Sequence, residues 1–336
     1  MLETVTMLGV FKSLIAHDTF LLNLFFPNEV NFDTSEIDFD RLSDEYELAP
    51  FVSPLVSGRP NVQAGSTRRK LKPAYVKPKD IVDPERVLKR IAGEPPGGVL
   101  TAQERKNAIV VSILDDQRQK INRRKEWMAA QLLRTGKVVI SGEDYPEVEV
   151  DFGRNANNSV ALTGAARWSE STKDPLGDIE DWFTLLDAPC THIIFGRNSW
   201  KNFASSDGVK DLINDRRGSD TKLAMEPSQM LASYKGRFGG SGPELWVYNG
   251  FYHDDQGAKQ TFIAENEVVM GCSGAGGVRA HGAILDGAAG YQPMAMFPKM
   301  WASDDPPVEY IMTQSAPLPV IPLIDSTLCA IVQDAE

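Results

Sequence analysis

Apolar and polar positions alternate along this chain with two periods, and the longer one marks its most regular stretch. Between Thr101 and Gly136, Val110, Leu114, Ile121, Met128 and Leu132 fall at steps of 4, 7, 7 and 4. That spacing is one apolar stripe of an α-helix. The opposite faces carry Arg105, Lys106, Asp115, Asp116, Arg118, Lys120, Arg123 and Arg124. Thr101 and Glu104 have the spacing of a capping box, in which each side chain satisfies a backbone N–H of the first turn. Gly136 stands where a left-handed residue closes a helix most cheaply. The pattern predicts one helix over 101–135, a rod on the order of 50 Å long at about 1.5 Å per residue.

The period of two predicts strands elsewhere. Phe51, Ser53, Leu55 and Ser57 alternate on one flank of Ala64–Thr67, and Leu71, Pro73, Tyr75 and Lys77 on the other, which reads as a long hairpin. Its prolines (Pro50, Pro54, Pro60, Pro73 and Pro78) confine it to edge-type pairing. Lys137–Ser141 and Val148–Phe152 read as a second hairpin with Val148, Val150 and Phe152 on one face. Further strands are predicted at Thr191–Phe195, Glu244–Tyr248, Val268–Met270, Val308–Met312 and Leu328–Val332. Helices are predicted at residues 4–26, from Asp178 onward, and over Ser199–Phe203 with Val209–Ile213. Lys173-Asp174-Pro175 reads as a break.

Charge adds a boundary that hydropathy alone does not mark. Residues 27–47 are acidic and extended, with Ile37 and Phe39 on one face of a strand. From Leu48 to Lys79 there is no acidic residue, while Arg59, Arg68, Arg69, Lys70, Lys72, Lys77 and Lys79 are basic. A two-stranded hairpin is marginal alone in water, so something covers its apolar side. Packing on its own domain is one solution. A basic hairpin on a chain of net charge −11 favours another, a neighbouring copy with an acidic surface, while a basic strip also suits nucleic acid. The same acidity argues against non-specific binding to DNA or to anionic membranes. No apolar run approaches the ~20 residues of a membrane span, and no basic segment precedes the short FLLNLFF run at 20–26 as in a secretory signal.

Candidate chemistry is sparse. Three cysteines, Cys190, Cys272 and Cys329, are far apart and fit a reducing compartment without a disulfide framework. Gly271–Gly277 (GCSGAGG) lacks the Lys-Ser/Thr of a phosphate loop and the final glycine of a nucleophile elbow, so it reads as a turn between strands. His17, His192, His253 and His281 have no metal-ligand spacing. His192 reads as a core histidine and His253-Asp254-Asp255 as a hairpin turn. Cys272 and His281 are a conceivable thiol pair without an orienting third group. Lys120, Arg123, Arg124 and Lys125 make a basic patch, read either as a solvated face or as one turned to DNA or an acidic partner. The silence favours a structural protein over an enzyme, and no catalytic, cofactor or metal residue is assigned.

The order of these segments resembles the major capsid proteins of tailed phages with the Hong Kong 97 fold, in particular the lambda-type phage capsid protein E family. The stretches that carry the likeness are FLLNLFF (20–26), FVSPLVSG (51–58), AGSTRRKLKPAYVKPK (64–79), YPEVEVDFGR (145–154), the DIEDW region, DRRGS (215–219), SYKGRFG (233–239) and MTQSAPLP (312–319). The resemblance implies an α+β fold with an N-terminal arm at 1–47 and an extended loop at 48–98. It implies a peripheral domain at 99–180 and 305–336, with the spine helix at 101–135, and an axial domain at 181–304. It implies hexamers and pentamers of an icosahedral shell around double-stranded DNA held without sequence specificity. A scaffolding protein, a portal protein and a decoration protein are the implied partners, the virion capsid and the host cytoplasm during assembly the implied locations. Arg59, Arg68, Arg69, Lys70, Lys72, Tyr75, Lys77 and Lys79 are the expected inter-subunit contacts. An encapsulin-like cellular shell and, from a different class, a ligand-binding α/β enzyme using Gly271–Gly277 are the alternatives.

Overall fold

A computed structural model describes residues 19–34, 36–41, 67–71, 73–89, 100–142, 145–170, 173–206, 208–209, 231–305 and 307–333. In chain order the first elements are α1 (Phe20–Phe25), β1 (Asn28–Asn31), β2 (Ile37–Arg41), β3 (Thr67–Leu71), β4 (Lys79–Val82), α2 (Pro84–Leu88) and α3 (Ala102–Thr135). Then come β5 (Lys137–Gly142), β6 (Tyr145–Asp151), β7 (Ser159–Ala161), α4 (Pro175–Phe183), β8 (His192–Phe195) and α5 (Arg197–Ser205). The remainder is strand: β9 (Ala232–Arg237), β10 (Glu244–Tyr248), β11 (Phe251–His253), β12 (Lys259–Thr261), β13 (Glu267–Gly271) and β14 (Val278–His281). The chain ends through β15 (Phe297–Ser303), β16 (Val308–Gln314), β17 (Pro317–Val320) and β18 (Thr327–Ile331). The architecture is α+β.

The long helix starts and stops where its local signals place it. The Thr101 amide donates to Glu104 Oε2 at 2.7 Å and the Glu104 amide to Thr101 Oγ1 at 3.2 Å, the reciprocal capping box. Gly136 has φ +72°, and its amide donates to the Leu132 carbonyl at 2.8 Å. Arg154 then donates to the carbonyls of Leu133 and Arg134, both at 2.7 Å, a cation satisfying helix C-terminal acceptors. All five residues of the predicted stripe are buried.

The chain divides into two compact units. The first comprises Met1–Ile37, Lys72–Ala130 and Val278–Pro319. In it β15, β16 and β4 form a three-stranded antiparallel sheet, with β16 in the middle. Val82 and Ile311 pack with Ile109, Val110, Ile113 and Leu114 of α3. Gln117 of α3 is fully buried at this seam and fully engaged: it donates to Asp80 at 2.7 Å and to the Ile311 carbonyl at 3.0 Å, and accepts from Thr313 at 2.7 Å. A second sheet runs β1-β14-β17, with β1 parallel to β14. The helix α1 buries Phe20, Leu21, Leu22 and Phe25, and the Leu21 and Leu22 amides donate to the buried Glu126 carboxylate at 2.7 and 3.1 Å. This carboxylate satisfies amides of a first turn that have no intrahelical acceptor.

The second unit comprises Asp38–Leu71, Gln131–Gly277 and Val320–Glu336. Its six-stranded sheet has the order β7-β18-β13-β8-β10-β9. Every residue of β13 is buried. Trp168, Ile179, Trp182, Phe195 and Phe203 belong to one core, with Trp168 and Trp182 stacked at 5.6 Å. The β5–β6 hairpin pairs Val138 with Val150. Val150 and Phe152 are buried, while Val148, nearer the tip, is 37% exposed.

Several expectations change. Asp174-Pro175 starts a helix: Asp174 accepts from the Leu176 amide at 3.1 Å and Pro175 takes the first turn, where its missing N–H costs nothing. Helix α1 covers only Phe20–Phe25 of the predicted 4–26, and residues 4–18 lie outside the described residues. Thr67–Leu71 pairs with Ile37–Arg41, and the other predicted hairpin flank, residues 51–57, lies outside the described residues. The basic patch on the long helix is split. Lys120 pairs with Asp116 at 2.6 Å, Arg123 donates to Gln119 and Arg124 lies over Trp127, but Lys125 is buried.

Candidate subunit-contact surface

Strand alternation decides what the three-stranded sheet shows to each side. The register sets Trp301 opposite Tyr310 and Tyr310 opposite Ile81, with Lys299, Met312 and Lys79 as the next row of the same face. The intervening rows, with Met300, Ile311, Asp80 and Val82, face α3. The outer face is therefore aromatic and basic. Ile81 is 53% exposed, Lys79 is exposed, and Trp301 and Tyr310 are half-buried.

Cations lie on these rings. Trp301 and Tyr310 stack with centroids 5.4 Å apart. Lys79 Nζ stands 3.9 Å from the Tyr310 centroid and 5.3 Å from that of Trp301. Lys299 lies 5.4 Å from the Trp301 ring and is ion-paired with Asp286. Burial pushes the Asp286 carboxyl up, but Lys299, the Ala288 amide and Gln314 together hold it below its ordinary value. Just upstream, Lys77 Nζ is 4.5 Å from the Tyr75 ring, and the Tyr75 hydroxyl accepts from the Leu285 amide at 2.7 Å. Burial raises the Tyr75 phenol above its ordinary value, with the Leu285 amide pulling the other way. Such cation–π contacts hold a charge over an apolar surface without a carboxylate partner.

Three of the eight expected contact residues, Tyr75, Lys77 and Lys79, thus sit on one extended stretch of backbone beside half-buried rings. Arg68, Arg69 and Lys70 lie on β3, with side chains outside the described residues. Arg59 and Lys72 lie outside the described residues altogether. Trp301 and Tyr310 carry no charge and so stand outside any basic run. The period-two rows Lys299, Trp301, Ser303 and Val308, Tyr310, Met312 carried their signal.

The other candidate residues behave as structure. Gly271–Gly277 is the connection between β13 and β14. His253 ends β11, and Asp254 accepts from the Gln256 and Ala258 amides at 3.0 and 2.8 Å, a hairpin turn. His192 is half-buried at the head of β8, with Nε2 3.5 Å from Glu244, rather than sealed in the core. Burial pushes the Cys190 and Cys329 thiols up to about 12, which leaves little thiolate at neutral pH. Among the described residues no group of three His, Cys, Asp or Glu is placed to hold a metal ion, and no helix is long and apolar enough to cross a membrane.

Comparison with known proteins gives consistent findings. Residues 3–332 match the family described as phage major capsid protein E. The chain is 32% identical to the major capsid protein of Escherichia phage lambda over 327 residues, 95% of each chain. It is 32% identical to the major capsid protein of Escherichia phage N15, over 94% of each. Among solved structures it is similar to a prophage capsid protein of Escherichia coli CFT073, at TM-score 0.77 and 27% identity over 99% of each chain. A phage-related protein from Bordetella bronchiseptica, 12% identical, shares the fold at TM-score 0.58, over 98% of this chain and 97% of that one.

Proposed function

The chain belongs to the phage major capsid protein E family and is a major capsid protein of a tailed phage with the Hong Kong 97-like fold; from that premise we propose how its copies meet. Copies of the chain associate with one another to make a virion shell. The basic stretch from Arg59 to Lys79 seats against an acidic surface of a neighbour, and Tyr75, Lys77 and Lys79 contribute together with Ile81, Trp301 and Tyr310. The observation that carries this reading is the half-open aromatic face of the first unit, with Lys79 held over two rings. Burying such a face between copies removes apolar surface at roughly 25 cal/mol per Å² while keeping the lysine charge satisfied. It also makes completion of the fold depend on assembly.

In this reading residues 1–47 are the N-terminal arm and 48–98 the extended loop. Residues 99–180 and 305–336 are the peripheral domain and 181–304 the axial domain. The shell is built of hexamers and pentamers around double-stranded DNA held without sequence specificity, and no residue is catalytic. A scaffolding protein, a portal protein and a decoration protein join it during assembly in the host cytoplasm. Electron microscopy of the purified full chain tests this. Closed shells or five- and six-membered rings are expected, and a preparation of small discrete particles under all assembly conditions contradicts it. Lys79→Glu is expected to reduce shell yield several-fold while the monomer stays folded.

A further inference from the structure

Between α3 and the β1-β14-β17 sheet, the first unit buries charged side chains. The parallel register sets Glu29 beside Arg279 and Asn31 beside His281, on one face of that sheet. Lys125 and Glu126 of α3 meet this face: both are buried, at 7% and 2% exposure. His281 is 1% exposed, and among the described residues neither of its ring nitrogens has a hydrogen-bond partner. The carboxylate of Glu29 stands with Oε1 4.0 Å from His281 Nδ1, beyond hydrogen-bond reach. Buried polar groups are almost always satisfied, so two orphan nitrogens on one ring mark a site held at a cost.

We propose that the docking of Asn28–Asn31 onto Val278–His281 is a proton-sensitive latch, in which a proton taken up by His281 opens the strand pair. The inference concerns one chain and goes beyond the shell reading. The neutral ring is tolerated in the closed seam, but an imidazolium there has the Lys125 and Arg279 cations beside it and loses its hydration. All strand residues of β1 are exposed, and among the described residues β1 is an edge strand paired with β14 alone, so it is the element that can leave. The charged groups facing His281 are Lys125 from α3, Glu29 from β1 and Arg279 from β14, with Arg118 beside Lys125 and Glu126 beside Arg279. The strand β17 contributes none.

Burial first, then Lys125 and Arg279, brings His281 from 6.5 down to about 2 in the closed state. The open state therefore binds one more proton between these values. The sign follows: the latch is fully stable above about pH 6.5 and weakens as pH falls toward the closed-state value. One proton makes the opening constant rise about 25-fold between pH 7 and pH 5.

Amide hydrogen exchange on the full-length chain, corrected for intrinsic rates, tests this on a peptide spanning residues 28–34. It contains the Phe32 amide, which donates to the His281 carbonyl at 2.8 Å. Protection is expected to fall about 25-fold from pH 7 to pH 5, while residues 109–117 of α3 stay protected. His281→Gln and His281→Phe, either of which suffices if the other does not fold, are expected to make protection independent of pH in that range. Equal protection of the wild type at pH 7 and pH 5 overturns the latch. So does the same fall in both variants, or a parallel loss over residues 109–117.

Discussion

The two faces of the β4-β15-β16 sheet are made by the same strands and end in opposite conditions. On the inner face Val82 and Ile311 are 4% and 0% exposed under α3, and Gln117, a polar side chain from α3, has each of its hydrogen bonds made within the chain. On the outer face Ile81 is 53% exposed, and Trp301 and Tyr310 carry lysines instead of packing under a helix. Alternation alone produces both rows, because a strand must send successive side chains to opposite sides. The difference is what covers each: the chain closes the inner face itself, and in the reading proposed above a neighbour covers the outer one. Substitutions inside should therefore register in stability, and substitutions outside in assembly.

Leu114→Ala is the strongest way to break the inner face. Leu114 is 0% exposed in the cluster with Ile311, and a truncation of this kind costs about 2–5 kcal/mol. Chemical unfolding of the disassembled chain should show it, at every pH tested. Gln117→Leu comes next. It strands Asp80, the Ile311 carbonyl and Thr313, and is expected to cost about 1–3 kcal/mol despite adding hydrocarbon, since unmet buried groups carry the desolvation penalty.

Lys125→Met changes sign. Burial first, opposed by Glu29 and joined by Arg279 and Arg118, lowers Lys125 from 10.5 to about 8. The unfolded chain thus binds the extra proton between about pH 8 and 10.5, so wild-type stability should rise with pH across that window. The charge is carried at a cost at pH 7. The methionine variant is expected to be more stable there, by on the order of 1–3 kcal/mol, and to lose the rise in alkali. Unfolding midpoints at pH 7, 8 and 10 check both points. The smallest stability effect belongs outside: Tyr310→Ala should cost about 1 kcal/mol in the monomer, because the ring is half-exposed and loses only its stack on Trp301 and its cation–π contact with Lys79. Its shell yield should nevertheless drop several-fold, measured by sedimentation.

What could be read from the sequence follows the range of the forces involved. The long helix was legible to within a residue because Thr101, Glu104 and Gly136 act on backbone a few residues away. The strands at 244–248 and 268–270 were legible as short apolar runs between glycine turns. Strand β17, with prolines at 317 and 319, broke the propensity rule and was missed, since its pairing is set by tertiary contacts. Lys125 looked like its exposed neighbours because charge type says nothing of which helix face meets a sheet. Of the candidate contact surface, Lys77 and Lys79 are visible as part of a basic run, while the Trp301 and Tyr310 rings that Lys79 meets stand more than two hundred residues later.

The claim that the outer face is completed by another copy can be tested at one place. A cryo-electron microscopy map of shells assembled from the full chain will show what lies against Ile81, Trp301 and Tyr310. The account predicts density from a neighbouring subunit within about 4 Å of these side chains. Rings open to solvent at every position in the shell would contradict it.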